Sequence, residues 1–130
     1  MSFGRKILCV DDNVDFCDIL KRLLESSGQS YSVTGAHNTE EALKLIAAER
    51  FDLYVLDTWM PDIGGLQLCK RIREKDPSTP IVFLTSLGSA PNRKKALAAG
   101  ANEFLTKLED LEKLVPTIKR LLENSDAVAV

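Results

Sequence analysis

Three acids, a hydroxyl and a lysine stand where short apolar runs of this sequence end. Asp11 and Asp12 follow KILCV (6–10), and Asp57 follows DLYVL (52–56). Thr85 and Ser86 follow PIVFL (80–84), and Lys107 follows EFLT (103–106). Taken singly, each has an ordinary use. Asp12 or Asn13 suits a helix cap, Asp57 a turn, Thr85 the end of a strand, and Lys107 a solvated charge. Brought to one edge, they pose an electrostatic problem. Two carboxylates about 4 Å apart repel by about 4 kcal/mol at an effective dielectric of about 20. Lys107 offsets one charge. A hard divalent ion offsets more, and Mg²⁺ typically takes one or two carboxylates together with phosphate oxygens and water. The chemistry open to such a set is phosphoryl transfer to a carboxylate. Asp57 can attack a phosphoryl group to give an aspartyl phosphate. The group in transit carries spread negative charge, so the reaction needs positioning and cations. The metal would take one phosphoryl oxygen, Lys107 a second and the Thr85 hydroxyl a third.

The elements that must position these groups are legible from periodicity. A further run, YSVTGA (31–36), makes five runs that alternate with five helical patterns. Runs one, three and four are nearly continuous in apolar residues, which marks strands covered on both faces. Between them, Phe16, Leu20, Leu23 and Leu24 share one helical face, as do Ala42, Leu45 and Ile46. Asn38 and Glu41 have the spacing of a capping box. Leu66, Cys69 and Ile72 mark a third helix over 65–74, and Pro91 and Gly100 bracket a fourth. Leu111, Leu114, Val115, Ile118, Leu121 and Leu122 stripe a fifth. Strict β-α alternation predicts an α/β domain with an open parallel sheet and right-handed crossovers. In such sheets function collects outside the carboxyl ends of the strands, where the polar residues stand. The domain is expected over 5–124, with flexible termini at 1–4 and 125–130.

Bulk properties exclude several classes. The 130 residues suit one domain, with 45% hydrophobic and 28% charged residues. A net charge of −2 and a pI of about 5.4 argue against direct nucleic-acid binding. There is no apolar run long enough to span a membrane, and the opening MSFGRK lacks a signal-peptide core. A cytoplasmic protein is expected. Cys9, Cys17 and Cys69 show no CxxC spacing and read as small buried hydrophobes in a reducing compartment. His37 has no partner for a zinc site.

Four segments together carry a family resemblance: ILCVDDN (7–13), LDTWMPDIGG (56–65), IVFLTS (81–86) and AAGANEFLTK (98–107). In order, on successive βα units, they resemble the receiver domains of two-component response regulators. The resemblance covers 5–124. It implies a (βα)5 flavodoxin-like, doubly wound domain with a five-stranded parallel sheet in the order 2-1-3-4-5. It implies that Asp57 is the phosphoacceptor, with Thr85 and Lys107 sensing the phosphoryl group. Mg²⁺ would be held by Asp57, by Asp12 directly, by Asp11 mainly through water, and by the backbone carbonyl of Trp59. Phe104 takes the place of the aromatic switch residue, which turns inward when the threonine moves toward phosphate. The partners implied are a histidine kinase or a histidine phosphotransfer protein, docking on the first helix. An effector domain or protein target would meet the face made by the fourth helix, fifth strand and fifth helix. A phosphorylation-dependent dimer is a further implied state. The resemblance implies no enzyme acting on outside substrates, only catalysis of the domain's own phosphorylation and dephosphorylation.

Three positions depart from the family's pattern or stand out within it. Leu108 replaces the usual proline after the lysine. A cis bond before a non-proline residue costs about 2.5–4 kcal/mol, so a trans Lys107–Leu108 bond is expected. Ser86 replaces the usual alanine or glycine and narrows access to the phosphate. Trp59 is large for a position beside the acceptor and is expected to shield the acyl phosphate from water. Rival classes fit less well. A phosphohydrolase of the haloacid dehalogenase type needs an acid where Trp59 stands. A flavodoxin-like FMN binder needs a phosphate cradle where Asp11 and Asp12 would repel phosphate. A pseudo-receiver, binding partners without phosphorylation, keeps the fold but has no need of all five polar residues.

Overall fold

The computed structural model describes residues 4–58, 60, 63–86 and 88–129, with the side chains of 127–129 left aside. Five parallel strands form one sheet in the order β2-β1-β3-β4-β5. They are β1 (Arg5–Val10), β2 (Tyr31–Ala36), β3 (Leu53–Leu56), β4 (Ile81–Thr85) and β5 (Glu103–Thr106). The helices are α1 (Val14–Glu25), α2 (Thr39–Ala48), α3 (Gly64–Lys75), α4 (Ala90–Ala98) and α5 (Leu114–Ala129), the last entered through a 3-10 turn, Leu111–Lys113. Fold class, strand order and alternation are those expected from the sequence.

The two-residue period of the strands divides the core. Ile7, Cys9, Leu53, Val55, Val82 and Leu84 face Leu20 and Leu24 of α1 and Leu114, Ile118 and Leu122 of α5. The alternate residues Leu8, Val10, Tyr54, Leu56, Ile81 and Phe83 face Ala42 of α2, Leu68, Cys69 and Ile72 of α3, and Ala96 of α4. Both sheet faces are therefore dry, which is why strands one, three and four are nearly unbroken in apolar residues. Phe83 is fully buried, and its truncation to alanine would cost about 3–5 kcal/mol.

Local chemistry sets the helix ends. Asn13, not Asp12, caps α1, its side-chain oxygen accepting from the Phe16 N–H at 3.1 Å. Asn38 caps α2 by accepting from the Glu41 N–H at 2.7 Å. The return bond of the expected capping box goes one residue further out: Glu41 accepts from the His37 N–H at 3.4 Å. Ser89 caps α4, with Pro91 in its first turn. Gly100 follows α4 at φ +112°, a conformation that favours glycine. A Cβ there would also lie 2.6 Å from the Arg73 side chain, which donates to the Gly100 carbonyl.

The end of the chain differs from expectation. Helix α5 runs to Ala129, past the boundary expected at residue 124. The sequence NSDAVA carries no proline or glycine to stop it, and Asp126 reaches across to pair with Arg5 at the start of β1. The three cysteines are buried and free, as expected.

Candidate functional site

Asp11, Asp57 and Lys107 are each held by the sheet through one peptide bond beyond its strand. The Asp11 N–H donates to the Ala36 carbonyl at 3.0 Å, and the Asp57 N–H donates to the Val10 carbonyl at 3.0 Å. The Lys107 N–H donates to the Thr85 carbonyl at 2.9 Å. The ladder thus outlasts the regular strands and fixes where these side chains begin. Helix α3 closes in from the other side. Its Gly65 N–H donates to the Thr58 carbonyl at 3.2 Å. A Cβ on Gly65 would lie 1.9 Å from the Asp57 carbonyl oxygen, so only glycine lets the helix approach this closely.

The structure brings Asp11, Asp12, Asp57 and Lys107 together. One carboxylate oxygen from each of the three acids lies within 4.8 Å of the others. Asp11 and Asp57 are buried and Asp12 is exposed. One oxygen of Asp11 accepts from the Asn13 N–H at 2.9 Å. The other lies 2.7 Å from the Lys107 ammonium, which is also 3.5 Å from Asp57. Burial alone would lower the pKa of this lysine. The hydrogen bond to Asp11 and the charge of Asp57 outweigh burial and hold it above its ordinary value. Lys107 therefore remains a cation while mostly enclosed. Phe16 of α1 supplies a further contact, its ring centroid 4.2 Å from the ammonium nitrogen.

Thr85 is fully buried at the end of β4. Its hydroxyl lies 2.7 Å from that of Thr58. Ser86 is exposed. Phe104 is buried, packed with Phe83, Ala96 and Ala99 on the α4 side of the sheet. Its carbonyl accepts from Arg93 of α4 at 3.2 Å. Trp59 lies outside the described residues.

The peptide bonds described are all trans, including Lys107–Leu108, as the energetic cost of a non-proline cis bond predicts. Asp110 shapes this loop. Its carboxylate accepts from the Thr106 N–H at 2.9 Å and from the Thr106 hydroxyl at 3.0 Å. Its own N–H donates to the Thr106 carbonyl at 3.0 Å. The Thr106 N–H, with help from Lys113, holds the Asp110 carboxyl below its ordinary pKa. Leu108, at 92% exposure, points to solvent.

Sequence reasoning missed Phe16, Thr58, Gly65 and Asp110 as parts of this site. The signal for Thr58 was the sheet register. Leu56 pairs with Phe83, and two further steps along both strands put Thr58 beside Thr85. The spacing of Thr106 and Asp110 fits a side chain closing a turn on its own backbone. Phe16 shares a helical face with Leu20 and Leu24 and packs against their cluster, and its second role depends on where Lys107 comes to rest.

An open parallel sheet with an acid cluster and a half-buried lysine at its carboxyl edge defines a receiver-type signalling domain. Comparison with known proteins agrees. The model of the response regulator receiver domain matches residues 7–119. Response regulator MprA of Mycobacterium avium is 39% identical over 120 residues, covering 92% of this chain and 52% of MprA. Among solved structures, a CheY-like receiver domain protein from Methanospirillum hungatei is 30% identical with a TM-score of 0.88, covering 96% of this chain and 98% of its own. The BeF3-activated DrrB receiver domain is 31% identical with a TM-score of 0.84, covering 93% and 99%. The chain belongs to the response regulator receiver domain family, the phosphorylation-activated switches of two-component signalling. It spans about half the length of the curated relatives it matches.

Proposed function

We propose that Asp57 is the phosphoacceptor of this switch, that Asp11, Asp12 and Asp57 hold Mg²⁺, and that Thr85 and Lys107 read the phosphoryl group. The observation that carries this reading is the convergence of three acids, two of them paired with one partly enclosed lysine. All three acids offer hard oxygen donors, and one lysine leaves the cluster short of positive charge, so the donor set fits a divalent ion. The family's further ligand, the Trp59 backbone carbonyl, completes the proposed set. When bound, Mg²⁺ neutralises charge on the acids and on the incoming phosphoryl oxygens.

The chain's own residues do the rest. An Asp57 carboxylate oxygen attacks phosphorus while the bond from phosphorus to the donor's imidazole nitrogen breaks. Lys107 moves from Asp11 toward a phosphoryl oxygen, and Thr85 donates to another. The new group adds roughly two negative charges, and the rearrangement of 86–91, α4 and Phe104 carries that change outward. Phe104 is already buried here, so its part is to hold the packed arrangement once Thr85 has moved. Trp59 and Ser86 restrict water at the acyl phosphate, and the domain catalyses its own dephosphorylation slowly.

A histidine kinase or histidine phosphotransfer protein is the proposed donor. Val14 and Ile19 of α1, 50% and 53% exposed, give it an apolar landing surface. The receiver unit is 5–124, with α5 continuing from it to Ala129, and is cytoplasmic. An effector domain or target meets the α4-β5-α5 face, and that face also serves a phosphorylation-dependent dimer. Among the described residues no helix is long and apolar enough to cross a membrane.

The test is incubation with a small acyl phosphate and Mg²⁺, read by intact mass. One phosphoryl group should be added to the wild type and none to Asp57→Asn. A wild type that takes up no phosphate would instead favour the pseudo-receiver.

A further inference from the structure

The hydrogen bond between Thr58 and Thr85 has no part in the scheme above, yet it engages the hydroxyl that the scheme uses. The two oxygens are 2.7 Å apart. Both backbones are tied down. The Thr58 carbonyl accepts from the Gly65 N–H at 3.2 Å, and the Thr85 carbonyl accepts from the Lys107 N–H at 2.9 Å. Threonine is stiff at χ1 and moves between a few staggered rotamers. With the backbones fixed, the Thr85 hydroxyl changes partner by discrete rotation. Thr58 precedes the α3 junction and adjoins Asp57 in sequence, so the competing partner sits directly beside the proposed acceptor.

We propose that Thr58 is a positioning residue that holds the Thr85 hydroxyl in the unphosphorylated state and so sets the threshold of the switch. This inference rests on the reading of Asp57 and Thr85 given above. With the Thr85 hydroxyl as the donor in this bond, a phosphoryl oxygen on Asp57 takes that proton from Thr58, so part of the phosphate's binding free energy is spent breaking the bond. Removing the Thr58 hydroxyl while keeping its shape removes this opposition. A neutral hydrogen bond of net ordinary strength corresponds to about a two- to tenfold change in an equilibrium constant. Thr58→Val should therefore bind beryllofluoride, in the presence of Mg²⁺, about two- to tenfold more tightly than the wild type. Thr58→Ser, which keeps the hydroxyl, should stay close to the wild type.

The measurement is a beryllofluoride titration at fixed Mg²⁺, followed by NMR or Trp59 fluorescence, on wild type, Thr58→Val, Thr58→Ser, Thr85→Val and Thr58→Val/Thr85→Val. The gain from Thr58→Val should vanish in the Thr85→Val background, because the partner it releases is gone. A loosened loop alone would give the same gain in both backgrounds. Urea unfolding of the same set without metal should give a non-zero coupling between the two sites, independent of any ligand. Equal or weaker beryllofluoride binding by Thr58→Val overturns the inference while leaving the Asp57 reading intact. Failure of the wild type to bind beryllofluoride at all overturns both.

Discussion

Replacing Gly65 with alanine should damage stability and phosphorylation together. The added Cβ would lie 1.9 Å from the Asp57 carbonyl oxygen, 2.8 Å from its carbon and 3.1 Å from the Phe83 ring. Backbone atoms cannot swing aside as a flexible side chain can. Either α3 backs away from the sheet or the Asp57–Thr58 peptide tilts, and the peptide just before it is held to the sheet by the Asp57 N–H donating to the Val10 carbonyl at 3.0 Å. Overpacking of this kind costs about 1–3 kcal/mol, occasionally more; with two backbone atoms in the way, the upper part of that range applies. At about 2.1 cal/mol/K per residue, 130 residues give an unfolding entropy of about 0.27 kcal/mol/K. A loss of about 2–3 kcal/mol then lowers Tm by about 7–11 °C. Thermal and urea unfolding report the stability, and mass after reaction with a small acyl phosphate reports the chemistry. A Gly65→Ala protein within about 0.5 kcal/mol of the wild type that is phosphorylated at the same rate would refute the reasoning. It would mean that α3 does not press on Asp57 as described.

Three other perturbations test separate parts of the site and fold. Lys107→Met keeps an aliphatic stem beside Phe16 but removes the cation from Asp11 and Asp57. Its phosphorylation by a small donor should slow by about 10²-fold, the usual scale for losing one charge-stabilising donor, and a rate near that of the wild type would remove Lys107 from the chemistry. Mg²⁺ at ten times its dissociation constant should stabilise the fold by about 1.4 kcal/mol, measured by urea unfolding. The same gain in Asp12→Ala would show that the acid cluster is not where the ion binds. Asp76 tests pH dependence away from the site. Burial opposes its ionisation, but hydrogen bonds from Thr79 and Ser78 prevail and lower its pKa. A depressed folded pKa gives stability that is present above the unfolded value of about 3.9 and lost as pH falls through the folded one. The urea midpoint of Asp76→Asn should therefore fall less steeply below about pH 4 than that of the wild type; parallel curves would contradict this.

The fold was legible because both covered faces of the sheet leave a mark on the sequence. Strands such as Leu53–Leu56 and Ile81–Thr85 are buried throughout, so their apolar runs stand out. The principal acids and Lys107 were legible because each directly follows such a run. What escaped notice depended on distance across the sheet or between layers. Thr58 meets Thr85 only through the β3–β4 register, and Gly65 matters only because α3 leans on Asp57. The far end of α5 escaped for another reason. Its extension to Ala129 involves a contact between Asp126 and Arg5, residues at opposite ends of the chain that local patterning cannot connect.

The hydrogen bonds that carry the ladder one peptide past β1, β3 and β5 have a structural corollary. They fasten Asp11, Asp57 and Lys107 to the sheet, while the exposed apolar side chains stand on helices and loops outside it. Val14, Ile19 and Leu108 lie at such outer positions. Those side chains can be exchanged while the bonded peptides, and the carboxylates they fix, stay where they are.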